Sequence, residues 1–265
     1  MFQYQGGVGA WITGAATYGI DLGAMTDAVW DVLPGDAKDE AQSFLEWLYK
    51  PIETRAAERR EVGHAEGFIR PSLEAAKLKA RMGLTERTFI ACDAIKRLWR
   101  EAHPAISSYW KLLENTVVAA IETPGVTHDC RRLKIRRDGA WLRIGLPSKR
   151  ALCYFSPEVK DGKISFVGLN QYTRQWGRTS TYGGKLFENV TQAVACDQLA
   201  QCLPISEAAG YATIFTVHDE DVTEVPDTDE YSHEALAQLM CSDLGWNEGL
   251  PLAAAGFSTF RYYKG

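Results

Sequence analysis

The hydrophobic spacing of this chain changes character near Pro124-Gly125, and that change favours folds that keep the leading helices and the main β structure in separate stretches. Upstream, apolar residues recur every three or four positions: Phe44 and Leu48, then Ala91, Ile95 and Leu98, then Ile106, Tyr109, Leu113 and Val117. This is the spacing of one helix face. The first series runs on to Ile52, where Pro51 is expected to disturb the register. Residues 53–67 are densely charged and read as a solvated helix face. Ser72 is a candidate N-cap and Gly83 a candidate C-cap of the next helix. His103-Pro104 ends one helix and Pro124-Gly125 ends the helical run. Downstream, residues 131–155 alternate and turn at Asp138-Gly139 and at Pro147-Ser148-Lys149, and 163–167 add another short strand. The helical period returns from Gly184 to Leu203, with Leu186, Val190 and Val194 on one face. Ala212–Val217 and Val222–Val225 then read as the arms of a hairpin, residues 231–241 as a helix and Ala253–Tyr263 as a last strand. The fold class expected is α+β.

Charge follows the same division. The chain has 265 residues, enough for one large domain or two small ones, and its net charge of −5 exerts no overall pull toward nucleic acid. The charge is nevertheless polarised. Residues 131–150 carry eight Lys or Arg against the single acid Asp138, while 205–249 carry no Lys or Arg. Trp141, Tyr154, Tyr172 and Trp176 interleave with the basic stretch, and Arg174, Arg178 and Lys185 follow it. A basic ribbon of this kind can supply salt-dependent phosphate contacts without sequence choice. The same pattern is compatible with a merely solvated ribbon face.

Several classes are excluded. The six cysteines form no C-x-x-C pair and read as scattered reduced thiols, as in a cytoplasmic protein. The first 37 residues contain no Lys or Arg, so the apolar start is not a secretory signal. Glycines and polar residues interrupt it too often for a spanning helix, and no membrane association is expected. The Gly6–Gly9 run is not a dinucleotide loop, because no strand precedes it and its spacing is wrong.

The hairpin tip, His218-Asp219-Glu220-Asp221, is the strongest chemical signal. Three carboxylates at one tip repel each other, and a bound cation relieves that repulsion. Mg²⁺ takes carboxylate oxygens and keeps water and phosphate oxygens for the rest of its shell. Such a tip could form half of a magnesium–phosphate site, with a second carboxylate supplied from elsewhere. An ordinary acidic turn is the alternative.

The order of residues adds a resemblance. An apolar strand, then Val217-His218-Asp219-Glu220, then a Val/Thr/Glu return strand resembles motif C of family A (polymerase I-like) DNA polymerases of the phage type. Trp176–Asp197 is similar to the block that leads into the palm helix of that group, with Gln192 matching its minor-groove glutamine. Trp141–Arg150, Ala254–Lys264 and Tyr4–Gly9 also resemble the group, the last as the turn leaving the nucleotide-binding fingers helix. The resemblance implies a C-terminal portion of a DNA-directed DNA polymerase: a fingers-like part over 1–182, helical with a β-ribbon at about 131–167, and a palm part over 183–265. It implies template-directed nucleotidyl transfer on primer–template DNA and dNTP, with two Mg²⁺ ions. Asp219 would be the metal ligand and Glu220 the catalytic carboxylate beside it. His218, Gln192, Lys185, Arg178 and Arg174 would touch DNA, and Tyr4 would sit by the insertion site.

Two elements of the family pattern are missing. No Asp-x-Ser-x-x-Glu pattern occurs in 1–265, and the fingers-helix Arg and Lys that hold the triphosphate would precede Met1. Two-metal transfer needs carboxylates that set the ions roughly 4 Å apart. The expectation is that the isolated chain does not polymerise and works with the N-terminal part of a polymerase. The alternatives are a non-catalytic DNA-binding remnant, or a small Mg²⁺-dependent nuclease built on Asp219, Glu220 and Asp221.

Overall fold

The computed structural model describes residues 4–61, 73–170 and 173–262, which fall into two compact units, Met1–Lys111 and Leu112–Gly265. The candidate cap Ser72, the aromatic Tyr172 and the end of the expected last strand, Tyr263, lie outside the described residues.

The first unit is helical: α1 (Val8–Tyr18), α2 (Leu22–Val29), α3 (Gly35–Glu61), α4 (Leu73–Ala80), α5 (Glu86–Ala102) and the start of α6 (Pro104–Glu122). Short polar side chains begin two of these helices. Asp21 accepts from the Gly23 and Ala24 amides at 2.8 and 3.1 Å, and Thr85 accepts from the Thr88 amide at 3.1 Å. After α4 the chain closes through Gly83, whose φ is +81° and whose amide returns to the Leu78 carbonyl at 2.8 Å. The core lies between α3 and α5. Ala41 and Leu45 meet Phe89, Ala91, Cys92 and Ala94, the alanines allowing the helices to approach closely. Burying Leu45 or Phe89 contributes about 1.5–3 kcal/mol each.

Pro51 lies inside α3, which continues to Glu61. It lies on the exposed side and forfeits one backbone bond. Contacts on both sides hold the helix together. Tyr49, two residues before, is buried and its hydroxyl bonds Glu86 at 3.1 Å. Glu53, after it, pairs with Lys77 of α4 at 2.6 Å.

A charged cluster sits inside this unit. Asp93 on α5 is fully buried, and Lys96 and Arg97 on the following turn both pair with it, Arg97 at 2.6 Å. Arg97 also reaches Glu40 of α3 at 2.9 Å. Burial lowers the Lys96 ammonium below the usual lysine range, against the opposing pull of Asp93.

The second unit contains the rest of α6 and a six-stranded antiparallel meander in chain order. Its strands are β1 (Thr127–Cys130), β2 (Leu133–Asp138), β3 (Trp141–Gly145), β4 (Ala151–Lys160), β5 (Lys163–Leu169) and β6 (Trp176–Thr181). Then come α7 (Gly183–Ala208), β7 (Ala212–Val217), β8 (Glu220–Glu224) and α8 (His233–Met240). The sheet is wider than the expected ribbon. β1 and β6 escaped sequence reading because Thr-His-Asp-Cys and Trp-Gly-Arg-Thr-Ser-Thr carry no apolar alternation. α7 is also longer than expected and runs through Pro204.

One face of the sheet is closed by Leu133, Ile135, Leu142, Ile144, Tyr154 and Ile164, all buried. The strand period of two puts Lys134, Arg136, Trp141 and Arg143 on the other face, which is open. α7 attaches on the closed side. Tyr154 Oη accepts from Asn189 at 3.0 Å, and Asp197 is held by Ser148 and by Arg150 at 2.5 Å, both from the β3–β4 turn. Glu114 of α6 accepts the Gly183 amide at 3.1 Å, a carboxylate at the positive end of α7.

These bonds join the sheet to α7. The sheet assigned to the helical part shares a unit with α7 and the acidic hairpin, and the two units part within α6. The expected last strand also fails. The chain from 250 to 260 is irregular, pairs with no strand, and leaves Phe260 exposed.

Candidate metal and nucleic-acid site

β7 and β8 form a two-stranded sheet joined by a two-residue turn, with Val217 opposite Glu220 and Thr216 opposite Asp221. The turn is His218-Asp219, and His218 takes a left-handed backbone with φ +55°. Histidine is one of the few non-glycine residue types that enters this region with any frequency. Asp219 therefore sits at the tip with its side chain exposed.

The three carboxylates do not share the tip. Glu220 already belongs to β8 and is exposed, while Asp221 follows on the opposite strand face. Both Asp221 carboxylate oxygens are buried without a hydrogen-bond partner. The nearby Thr213 hydroxyl favours the charged form but makes no well-directed bond, and it is itself unpaired. Burial first, and then the charge of Glu207, push the Asp221 carboxyl above its ordinary value of 3.8.

That shift sets a testable pH dependence. A carboxyl raised in the folded state costs nothing when it is neutral in both states; the cost begins as pH rises past the ordinary value, where the unfolded chain ionises, and is complete above the folded value. Asp221→Asn is therefore expected to raise the melting temperature at pH 7. The gain should shrink on acidification and vanish below the ordinary value of 3.8. Thermal melts of the variant and the parent across that range give the comparison, and a gain independent of pH would contradict it.

The base of the hairpin is anchored. The Thr213 amide donates to Glu207 of α7 at 2.7 Å, and Phe215 packs edge-on against Tyr262 with ring centroids 5.2 Å apart. Among the described residues β7 pairs only with β8, so its other edge is free, and Ile214 is 55% exposed. A two-stranded hairpin is marginal alone in water, and a free edge is a pairing surface.

The residues present fit part of a magnesium shell. Asp219 offers hard, accessible oxygens, but among the described residues no three His, Cys, Asp or Glu converge as a metal cage. One carboxylate leaves most of an octahedral shell to water, phosphate and other donors.

The other expected site residues separate into groups. Lys185, Glu188 and Gln192 share the outer face of α7, with Lys185 bonded to Glu188 at 2.8 Å and Gln192 exposed. Leu186, Val190, Ala193 and Asp197 occupy the buried face, so Asp197 anchors the β3–β4 turn. Arg178 lies on the open face of the sheet, away from α7. It donates to the Ser156 carbonyl at 3.2 Å and to Ser165 Oγ at 3.1 Å, and pairs with Glu158 at 3.2 Å. Arg174 is exposed in the β5–β6 loop with φ +56°. Tyr4, in the first unit, is half-buried just before α1, and Arg100 donates to the carbonyls of Gln5 and Gly6 beside it, both at 3.2 Å. The inward turn of Asp221, and which of the interleaved aromatics share a sheet face with the arginines, were missed in the sequence. Both depend on strand register.

No family model matches the chain, and no solved structure matches it. Among curated proteins it is similar to the DNA polymerase of Bacillus phage SP02, at 34% identity over 188 residues. That alignment covers 69% of this chain and 28% of the phage protein. The chain is thus homologous to a portion of a phage DNA polymerase and spans little more than a quarter of that protein's length.

Proposed function

We propose that this chain supplies one carboxylate side of the nucleotidyl-transfer centre of a family A-type DNA polymerase. The observation that carries the proposal is the placement of Asp219, alone and exposed at the two-residue tip of a hairpin whose outer edge is free. Bound Mg²⁺ ions would neutralise phosphate charge and favour attack of the primer 3′-hydroxyl on the α-phosphate of the incoming dNTP. Asp219 holds the metal, and Glu220, exposed next to it, supports that charge. His218 at the same turn reaches the primer strand. Gln192 and Lys185, on the outer face of α7, approach the duplex, while Arg178 and Arg174 meet DNA from the sheet. Tyr4 borders the nucleotide. The second carboxylate and the triphosphate-binding Arg and Lys come from the N-terminal part of the polymerase, and the free edge of β7 is a surface on which such a part can pair.

This reading makes the isolated chain inactive. Purified protein is expected to extend a primer no faster than a no-enzyme control with Mg²⁺ and all four dNTPs present. Robust incorporation by the chain alone would sink the shared-centre reading. The nuclease alternative is disfavoured by the burial of both Asp221 carboxylate oxygens, apart from the exposed Asp219 and Glu220. A non-catalytic DNA-binding remnant is favoured by the absence of a metal cage among the described residues. It predicts that substituting Asp219 changes no activity in any assembly.

A further inference from the structure

Strand register sets side chains in rows on the open face of the six-stranded sheet. One row joins Arg136 of β2 to Arg143 of β3 and Cys153 of β4. The next runs from Asp138 through Trp141, Phe155 and Val167 to Arg178, spanning β2 to β6. Leu169 and Trp176 form a further pair on β5 and β6. Trp141 is 41% exposed and Trp176 66%. The Trp141 ring leans on Phe155, with centroids 5.1 Å apart and planes at 54°. Two large, partly exposed aromatic surfaces are thus held on a face that is open among the described residues of this unit.

The charge around them is positive although the molecule is negative. Residues 127–181 contain twelve Lys or Arg and four Asp or Glu, in a chain of net charge −5. The turns at one end of the sheet carry Arg131, Arg132, Lys149, Arg150 and Arg174, of which Arg150 is paired with Asp197 of α7. On the face itself Arg136 and Arg143 share Asp138, at 2.6 and 4.0 Å, and Arg178 pairs with Glu158 at 3.2 Å. These pairs are exposed and individually weak, so a phosphate can displace the carboxylate. A low-lying field of this sign attracts a polyanion. Stacking on indoles requires bases whose π-faces are free, which a duplex does not present and a single strand does.

We infer that the open face of this sheet binds single-stranded DNA, with bases stacked on Trp141 and Trp176 and phosphates held by Arg136, Arg143 and Arg178. The choice of DNA rests on the polymerase reading above, with the unpaired template strand as the natural occupant. The surface itself needs neither the metal nor the nucleotide.

The test is binding of the whole chain to a labelled oligothymidylate of about 16 nucleotides and to a blunt duplex, across a salt series without metal. Trp141→Ala and Trp176→Ala are each expected to weaken single-strand binding roughly 5- to 150-fold, with the salt slope unchanged. Trp141→Phe, which keeps a ring, should retain most of the affinity. Arg136→Gln and Arg143→Gln should flatten the slope by about 0.7 per lost phosphate contact. Duplex binding should not respond to the tryptophan changes. Both indoles are exposed, and circular dichroism of the variants should match the parent. Full single-strand affinity in both Trp→Ala variants, an equal loss of duplex binding, or equal competition by polyglutamate would overturn the inference. Because no primer extension is involved, a chain that fails as part of a polymerase can still pass this test, and one that succeeds can fail it.

Discussion

Asp219→Asn is expected to lower primer extension about a thousandfold or more when this chain is combined with the N-terminal part of the Bacillus phage SP02 polymerase. A thousandfold corresponds to about 4 kcal/mol of transition-state stabilisation. The size follows from the setting. Asp219 is the one carboxylate at the tip, because Glu220 has entered β8 and Asp221 is turned inward, so no neighbour at the tip can replace it. The amide keeps the shape but loses the charge that, in the proposed centre, would hold a divalent cation. Single-turnover extension with saturating dNTP isolates the effect from nucleotide binding. A loss below tenfold would mean that the metal is held elsewhere, and the remnant reading would then be preferred. Asp221→Asn is the internal control for general disturbance of the hairpin, since its expected effect is on stability and has the opposite sign.

The largest expected effect on stability lies in the first unit. Asp93→Ala should destabilise it by about 3–5 kcal/mol, the usual cost of removing one partner from a buried ion pair. Asp93 is fully buried and Lys96 nearly so, so deleting the carboxylate strands an ammonium whose charged form is already disfavoured by its surroundings. Arg97 is better placed to recover, being a third exposed and still paired with Glu40. Urea unfolding of the whole chain, followed by a probe of the helical unit, measures the difference. A cost under about 1 kcal/mol would show that Lys96 swings its head group into water. Asp93→Leu combined with Lys96→Met should restore much of the loss, because a well-packed apolar pair can equal a buried ionic one.

Much of the fold was legible because it is written locally. Phe44, Leu48, Ala91, Leu113 and Val117 lie on helices as their spacing predicts, and the turns at Asp138-Gly139 and Pro124-Gly125 fall where glycine permits positive φ. The failures are equally specific. Pro51 was expected to disturb the register, and α3 runs through it because Tyr49 and Glu53 reach partners in α5 and α4 that offset its local cost. β6 was missed because Thr and Ser alternate without hydrophobic contrast, and its place depends on pairing with β5. The cluster of Asp93, Lys96 and Arg97 was not picked out in the sequence, because the burial of Asp93 and the pairing of Arg97 with Glu40 of α3 are set by helix packing.

The candidate site divides in the same way. Adjacency in the chain grouped Asp219, Glu220 and Asp221, whereas strand alternation separates them. The sequence by itself determined the order of helices, sheet and acidic hairpin, and the position of Asp219 at a turn, since hydrophobic period and turn chemistry act over a few neighbouring residues. Only the tertiary structure decided which carboxylate is buried, which face of the sheet is open and where the units divide. Those depend on strand register and on partners distant in the chain, and a shift of one residue in pairing exchanges the two faces.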